Sequence, residues 1–512
     1  MRYAKKSFYC NKLDQTRNDI KGTWSVINTI LHKSKNNMPN YFISDDREID
    51  DPQSIVNEFN NYFDDCCKIA LQSMPSAGSP CTSDIDSYLT ENFSKSLFLR
   101  PIQECELIEI CNSFKNSFSY DVNYLNVNIM KQIIDPIVEP LVHIFNISIE
   151  TGIVPNNLKI AKIVPISKKG DSHLFKNYRP ISILPCFSKL LEKCINNRVY
   201  SFLCVSSILC NNQYGFRRNH STTHALIHLQ DKIISAISKN NFGIGIFMDL
   251  SKAFDIVNHD ILLHKLHHYG IRGTPLKWFS NYSSDRYQYT YFSNCSSSRS
   301  QIKHGVPQGF ILGPLLFLIY INYISNSSEK FDFVLYADDT TLFYTQPDTK
   351  NIKENVEFEL NKVTTWFKVN KLLVNFDKTH FVPFHNKSNE ITVLENMEIT
   401  INLFSLNKSS NVNFLGIHID KYIRWDTHVD YIINKVSKCV GILYKLKHYL
   451  PLYALVMLYN SLILPYLSYC ITVWGNCTQS KLDSLVKLQK KKQYAFVQEV
   501  ISLLIRLLYL KH

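Results

Sequence analysis

The 512-residue chain holds 14 cysteines, yet no Cys-x-x-Cys pair and no Cys/His set at zinc-finger spacing. The zinc-finger reading is excluded on that count. Cys66 and Cys67 are adjacent, and others such as Cys186, Cys194 and Cys439 sit in apolar surroundings. Free thiols in a reducing compartment are the reading, with disulfides as the alternative. Long apolar runs are also lacking: FILGPLLFLIYI (310–321) is too short for a spanning helix and is broken by Gly and Pro. No N-terminal stretch has the pattern of a signal peptide, so the expectation is a soluble or peripherally bound protein with no membrane partner. Nor does one sign of charge dominate. Lys and Arg number 56 against 44 Asp and Glu, a net +12 that favours a polyanion partner without requiring one.

What is present belongs to a folded protein. Hydrophobic residues make up 45% of the chain and aromatics 13%, and the length leaves room for roughly two to four domains. Residues 1–35 are polar and helix-prone, with an amphipathic stretch at 19–31. Asp51-Pro52 predicts a helix start, Asp as cap and Pro at the first position, running to about Ala70. Residues 72–86, rich in Ser, Pro and Gly, read as a linker. KIAKIVPI (159–166) is strand-like, and SKLLEKCINNRVYSFL (188–203) has helical spacing. Helices are predicted over about 351–369 and from Thr427 to Tyr449, and VNFLGIHI (412–419) reads as a strand. The last helix has Val429, Ile432, Ile433, Val436, Val440 and Leu443 on one stripe. Lys435, Lys438, Lys445 and Lys447 lie off it, on a face that is either solvated or laid against phosphates. The basic cluster Lys490–Lys492 reads as a solvated face.

The most informative string is LYADDTTLF (335–343), with Asp338 and Asp339 adjacent. Strand side chains alternate faces, so two neighbouring carboxylates reach one site only where the backbone turns. The string therefore reads as a hairpin tip. Two like charges side by side call for a counter-charge, and a divalent cation supplies one; an acidic surface turn is the alternative. NFGIGIFMDLS (241–251) reads as a buried strand delivering Asp249 at its end. Three carboxylates on adjacent strand ends can hold two divalent ions about 3.5–4 Å apart, one activating a hydroxyl and one neutralising a leaving phosphate. Acid oxygens and water suit Mg2+ or Mn2+. Between these segments, HGVPQGFILGPLLF (304–317) sets Gly305 and Gly309 around Gln308, a loop that lets backbone approach a ligand.

Together these strings resemble the reverse transcriptases of non-LTR (LINE-type) retrotransposons. The resemblance is carried by KNYRPISILPCFSKLLEK (176–193), NQYGFRRNHSTTHAL (212–226), FMDLSKAFDIVNHDILL (247–263), VPQGFILGPLLFLIYIN (306–322), LYADDT (335–340), FLGIHID (414–420) and LYNSLILPYLSYCITVWG (458–475). They follow the family's order over roughly 100–480. The resemblance implies an α+β right-hand polymerase with an antiparallel-sheet palm and a helical thumb. Its implied divisions are a helical connector (1–99), fingers (100–240), palm (241–424), and thumb with a divergent tail (425–512). The implied activity is RNA-directed DNA polymerisation, joining a dNTP to a primer 3′-hydroxyl on an RNA template with two Mg2+ or Mn2+ ions.

Roles carry over by matching position. Asp249 and Asp338 would bind the metals, with the Leu250 carbonyl assisting and Asp339 completing the acidic tip. Phe254 would be the steric gate against a 2′-hydroxyl, and Gln308 would contact the nucleotide near its sugar. Arg179 and Lys168 or Lys169 would hold the triphosphate, and Lys378 would protonate pyrophosphate. FLGIHID would grip the primer. The family's target-primed mode implies a nuclear location, with a cytoplasmic ribonucleoprotein as the alternative.

The chain also departs from the family. Phe310 replaces a usual Ser, Tyr323 a usual Asp, and Tyr-Ser-Ser a usual Tyr-Leu before Asp285-Arg286. NSFSYDVNYL (116–125) lacks a Gly, and the tail after Gln489 no longer resembles the family. Residues 1–100 are too short for the endonuclease that related elements encode, and no cysteine-rich knuckle or RNase H acid set is visible. The expectation is a polymerase module, with a decayed remnant that only binds RNA as the alternative. An RNA-dependent RNA polymerase, to which Asp255 could belong, is opposed by Phe254 and the Tyr-Ala-Asp-Asp string.

Overall fold

The computed structural model describes residues 2–16, 19–31, 39–44, 46–72, 82–168, 170–306, 309–385, 396–401 and 404–493. The helix expected at Asp51-Pro52 is present as α1, Pro52–Gln72. The Asp51 carboxylate accepts from the Ser54 amide at 2.8 Å and so satisfies a donor that a helix start leaves free. The apolar stripe Ile55, Val56, Phe59 and Phe63 closes over Phe42, Phe175, Tyr178 and Phe292. Much of that cluster lies on one face of a first sheet, built on β1 (Ile160–Ser167) and β2 (Tyr178–Ile183), which pair antiparallel.

The chain then runs through α2 (Cys186–Val205) and α3 (Thr222–Ser238) into β3 (Phe242–Ser251), the central strand of a second sheet. It returns to the first sheet as β4 (Arg286–Phe292), parallel to β1, with short strands Cys295–Ser296 and Ser300–Ile302 antiparallel to β4. A single boundary at residue 240 therefore does not separate the sheets. The open edge of β1 is filled by a strand from beyond it.

After α4 (Gly313–Ile321) come β5 (Asp332–Tyr336), β6 (Asp339–Gln346), α5 (Ile352–Val369), β7 (Leu373–Phe384) and β8 (Asn407–Lys408). The sheet order is β8-β7-β3-β6-β5, antiparallel except for the β8–β7 pair. Both faces are buried, which is why β3 is apolar throughout rather than alternating. Its Ile244, Ile246, Met248 and Leu250 join the core lined by α4 and α5, while Phe247 joins the other core, with Leu229 and Ile233 of α3.

The segment expected as one strand over 412–419 is instead a hairpin, β9 (Asn411–Phe414) and β10 (Ile417–Asp420). Leu415 and Gly416 adopt φ of 48° and 82° and reverse the chain between them. The helix that follows, α6 (Asp426–Leu446), buries Val429, Ile432, Val436 and Leu443 and leaves Ile433 and Val440 half-buried. Lys438 and Lys445 are exposed on it, Lys435 and Lys447 partly so. Of the expected linker, 73–81 lie outside the described residues and Thr82–Asp86 is a short helix; the side chains of Lys490–Lys492 also lie outside them. No helix among the described residues is long and apolar enough to cross a membrane.

Candidate active site

The two aspartates occupy the turn that strand alternation demanded. Tyr336 pairs with Asp339 and the loop is Ala337-Asp338. Ala337 takes φ 57°, a left-handed conformation that costs a residue other than glycine about 1–2 kcal/mol. β6 also lies antiparallel to β3, with Thr340 opposite Met248. One further step in that register sets Asp339 opposite Asp249. On the other side of β3, Asn375 of β7 is opposite Asp249. β7 then bulges between Asn375 and His380, and a bulge redirects side chains. Lys378 lies in that bulge, its Nζ 3.5 Å from Asp249 Oδ2. This is the one ion pair the three acids make among the described residues. Lys378 is 71% exposed, so the pair is worth little in water.

Asp249 and Asp338 line one cavity of about 720 Å³, together with Leu250 and Phe254. Asp339 is exposed and is not part of that lining. Burial first, and then the Asp249 charge, raises the Asp338 carboxyl above its ordinary range. Desolvation, followed by the charges of Asp338 and Asp249, pushes the Asp339 carboxyl up to about 6. The acids are thus like charges short of a counter-charge. No three His, Cys, Asp or Glu side chains converge on one point among the described residues, so there is no ready-made cage. Magnesium does not need one: it keeps several waters and binds through one or two carboxylates plus substrate phosphates. The residues fit that ion through the facing pair Asp249 and Asp338.

The other expected contacts meet in the same cavity. Arg179 of β2 and Lys168, just past β1, line it, as does Lys378. Burial, then Arg179 and Lys252, holds the Lys168 ammonium below its ordinary value, against the pull of Cys66 and Asp255. The Phe254 ring stacks on Phe317 at 4.3 Å and 25° and meets Phe216 edge-on at 6.1 Å. That packing fixes where the ring ends and the cavity begins. Gln308 and Lys169 lie outside the described residues.

Three features escaped sequence reasoning. First, α1 walls the cavity: Cys66, Cys67 and Asp64 line it. Gln288 Nε2 donates to Asp64 Oδ1 at 3.0 Å, and Thr290 Oγ1 to Asn60 Oδ1 at 3.3 Å. Burial, then Asp255, pushes the Cys67 thiol up to about 12. Asp255 is itself pushed up to about 6 by burial, against the pull of Lys252 and Lys168. Contacts across more than two hundred positions leave no local signal.

Second, the exit of the 304–317 loop is pinned by Glu192 of α2. That buried carboxylate accepts from Tyr282 Oη at 2.7 Å and from the Ile311 and Leu312 amides at 2.8 and 3.2 Å, at the N-terminus of α4. The Arg286 guanidinium lies between the Tyr282 and Phe310 rings, 4.6 and 4.5 Å from their centroids. Phe310, a departure from the family, is therefore packed as a cation–π partner. Tyr323, another departure, donates to Glu91 Oε2 at 2.8 Å. Third, NQYGF (212–216) lies against the acid turn.

Comparison with known proteins agrees with this geometry. Residues 166–419 match the family model for reverse transcriptase (RNA-dependent DNA polymerase). The chain is 28% identical over 418 residues to the "Probable RNA-directed DNA polymerase from transposon BS" of Drosophila melanogaster, an alignment covering 78% of this chain and 45% of that protein. It is 25% identical over 422 residues to the "RNA-directed DNA polymerase from mobile element jockey" of the same fly, covering 80% and 45%. The corresponding figures for its "Probable RNA-directed DNA polymerase from transposon X-element" are 23% over 423 residues, covering 79% and 45%. The chain thus spans a little under half the length of these relatives. With the family model across the acid cavity and polymerases of mobile elements aligned over most of the chain, residues 166–419 are a reverse transcriptase domain of the kind found in non-LTR retrotransposons.

Proposed function

We propose that the chain is an RNA-directed DNA polymerase that extends a DNA primer on an RNA template by two-metal nucleotidyl transfer. The supporting observation is the meeting of Asp249, Asp338, Phe254, Arg179 and Lys168 at one cavity. In this reading the first sheet with α1 forms the fingers, the second sheet the palm, and α6 with the helices after it the thumb. Mg2+ or Mn2+, bound by Asp249 and Asp338 and assisted by the Leu250 carbonyl, would lower the pKa of the primer hydroxyl and neutralise the leaving phosphate. The protein's own residues do the rest. Arg179 presents a fork that matches phosphate oxygens, and Lys168 gains a counter-anion from the triphosphate. Phe254, held by Phe317, leaves no space beneath the sugar for a 2′-hydroxyl. Lys378 moves from Asp249 toward the departing pyrophosphate. Exposed lysines of α6 contact the duplex backbone without reading sequence.

Primer extension by the purified chain on an RNA template with dNTPs and Mg2+ or Mn2+ tests the proposal. Asp338→Asn should lower the rate about 1,000-fold, on the order of 4 kcal/mol of transition-state stabilisation. Product formed equally well by that variant would overturn it. Phe254→Ala should lower the preference for dNTP over rNTP about tenfold or more, read by competing the two on one template.

A further inference from the structure

We infer that Gln213 is the positioning residue of the acid turn: its buried amide holds the backbone of Ala337 so that Asp338 is delivered to the metal-binding edge of the cavity. Gln213 is 3% exposed. Its Oε1 accepts from the Ala337 amide at 2.9 Å and from the Gly215 amide at 2.8 Å. Its Nε2 makes a long contact, 3.5 Å, to the Ala337 carbonyl. Both ends of one side chain are thus directed at the single residue of the turn with positive φ. The segment that carries Gln213 is registered on the strand leading into the turn. Leu335 donates its amide to the Asn212 carbonyl at 2.9 Å, and Tyr214 donates to the Leu335 carbonyl at 2.8 Å. Arg217 Nη1 braces the far side, donating to the Cys210 carbonyl at 2.7 Å.

Gly215 completes the clamp by its lack of a side chain. A Cβ there would lie 2.3 Å from the Ala337 nitrogen. A glutamine that merely satisfied itself in a core could bond anywhere. Here the amide, the two backbone ladder bonds and the bare glycine all bear on Leu335 and Ala337, next to the two aspartates. The turn contains no glycine, so its left-handed conformation falls on Ala337. The clamp acts on acids that already repel one another, so losing it would let the carboxylates splay apart before any cation is bound.

The inference rests on the polymerase reading for its consequence and on metal binding for its test. Mn2+ binding by the full chain without nucleic acid, followed by electron paramagnetic resonance and taken as the part lost in Asp338→Asn, reports the acid edge directly. Gln213→Met keeps the volume and removes the acceptor. It should weaken that Mn2+ binding about tenfold and lower the extension rate by 10–100-fold, the usual loss when an outer partner of a metal ligand is removed. The KM for dNTP should stay within about twofold, since the residue touches no nucleotide. Adding Ala337→Gly relieves the backbone that the clamp holds, and it should restore Mn2+ affinity to the methionine variant about threefold or more. The glycine pair also serves if Gln213→Met alone folds poorly. Mn2+ binding by Gln213→Met within about twofold of the parent, or no rescue by the glycine, would overturn the inference. If the parent chain binds Mn2+ through Asp338 yet extends no primer, the polymerase reading fails and the positioning role stands.

Discussion

Two hairpins in this molecule have loops of the same length and opposite internal economy. The loop between β9 and β10 is Leu415-Gly416, closed by the Phe414–Ile417 pair, with positive φ at both positions. That is the pattern a right-twisted ribbon prefers, with the glycine supplying one of the two left-handed residues without strain. Its outside support is slight: Tyr469 Oη donates to the Leu415 carbonyl at 2.7 Å. The loop between β5 and β6, Ala337-Asp338, has positive φ at Ala337 alone and no glycine. It is held from 124 positions away by a buried glutamine. Backbone strain kept in place by surrounding structure concentrates where a fold does chemistry. The contrast says which hairpin is shaped by its own sequence and which by its surroundings.

Gly215→Val breaks the contrast most severely. The Cβ would press on the Ala337 nitrogen, and overpacking of this kind costs about 1–3 kcal/mol. A displacement of the acids near 1 Å should lower primer extension about 100-fold. Gly416→Ala is the matched change in the other hairpin. Its Cβ has room, with the Tyr469 ring 3.5 Å away, so the penalty is the strained φ alone, about 1–2 kcal/mol of stability. Mn2+ binding through Asp338 should be unchanged there. Thermal melts and extension assays on both variants decide the matter, and equal losses of activity would erase the distinction.

The same pair of hairpins shows what was legible in the sequence. Asp338-Asp339 announced a turn because alternation forbids neighbouring side chains one face, and the structure has that turn. The apolar β3 ending in Asp249 and the Asp51-capped α1 were legible for equally local reasons. FLGIHI was misread as one strand, because its alternation continues through Leu415 and nothing in Leu-Gly marks a reversal as Asn-Gly would. Gln213 stood inside a quoted string without a role, since its partner lies on another strand. α1, read as part of a connector, walls the cavity through side-chain bonds to β4. Lys378 was read as an acid for a leaving group, and its ion pair with Asp249 depends on a bulge that residue patterns do not display. Local rules reached the acids, while what holds them in place is non-local.

Acid should separate the hairpins more gently. The β10 end rests on α6 through His428, whose Nδ1 accepts the His418 amide at 3.4 Å. Burial, then His418, holds the His428 imidazole down to about 4. In the unfolded chain the imidazole takes a proton near pH 6.5, so between about 6.5 and 4 the unfolded state binds more protons than the folded one. The stability is complete above pH 6.5 and is lost as the pH falls through that window. His428→Phe should therefore flatten the fall in Tm between pH 7 and pH 5 by about 1–2 °C. A slope equal in parent and His428→Phe would remove the histidine from the account.

The smallest effect is expected at Tyr469→Phe. The lost bond is of ordinary length, 2.7 Å to the Leu415 carbonyl, but it lies at the surface, where water can take the place of the hydroxyl. A bond so replaced is worth only about 0.5 kcal/mol, at the low end of the usual net contribution. Each loop holds one left-handed residue other than glycine, Leu415 at φ 48° here and Ala337 at φ 57° in the acid turn. At Gln213 the amide is buried, so removing its acceptor strands the Ala337 and Gly215 amides away from solvent, each at a cost of about 1–3 kcal/mol. The two truncations remove partners of hairpin loops of equal length and differ in access to water. Melting curves in which Tyr469→Phe loses as much as Gln213→Met would mean that loop strain, rather than burial of the supporting bond, is shared by both turns.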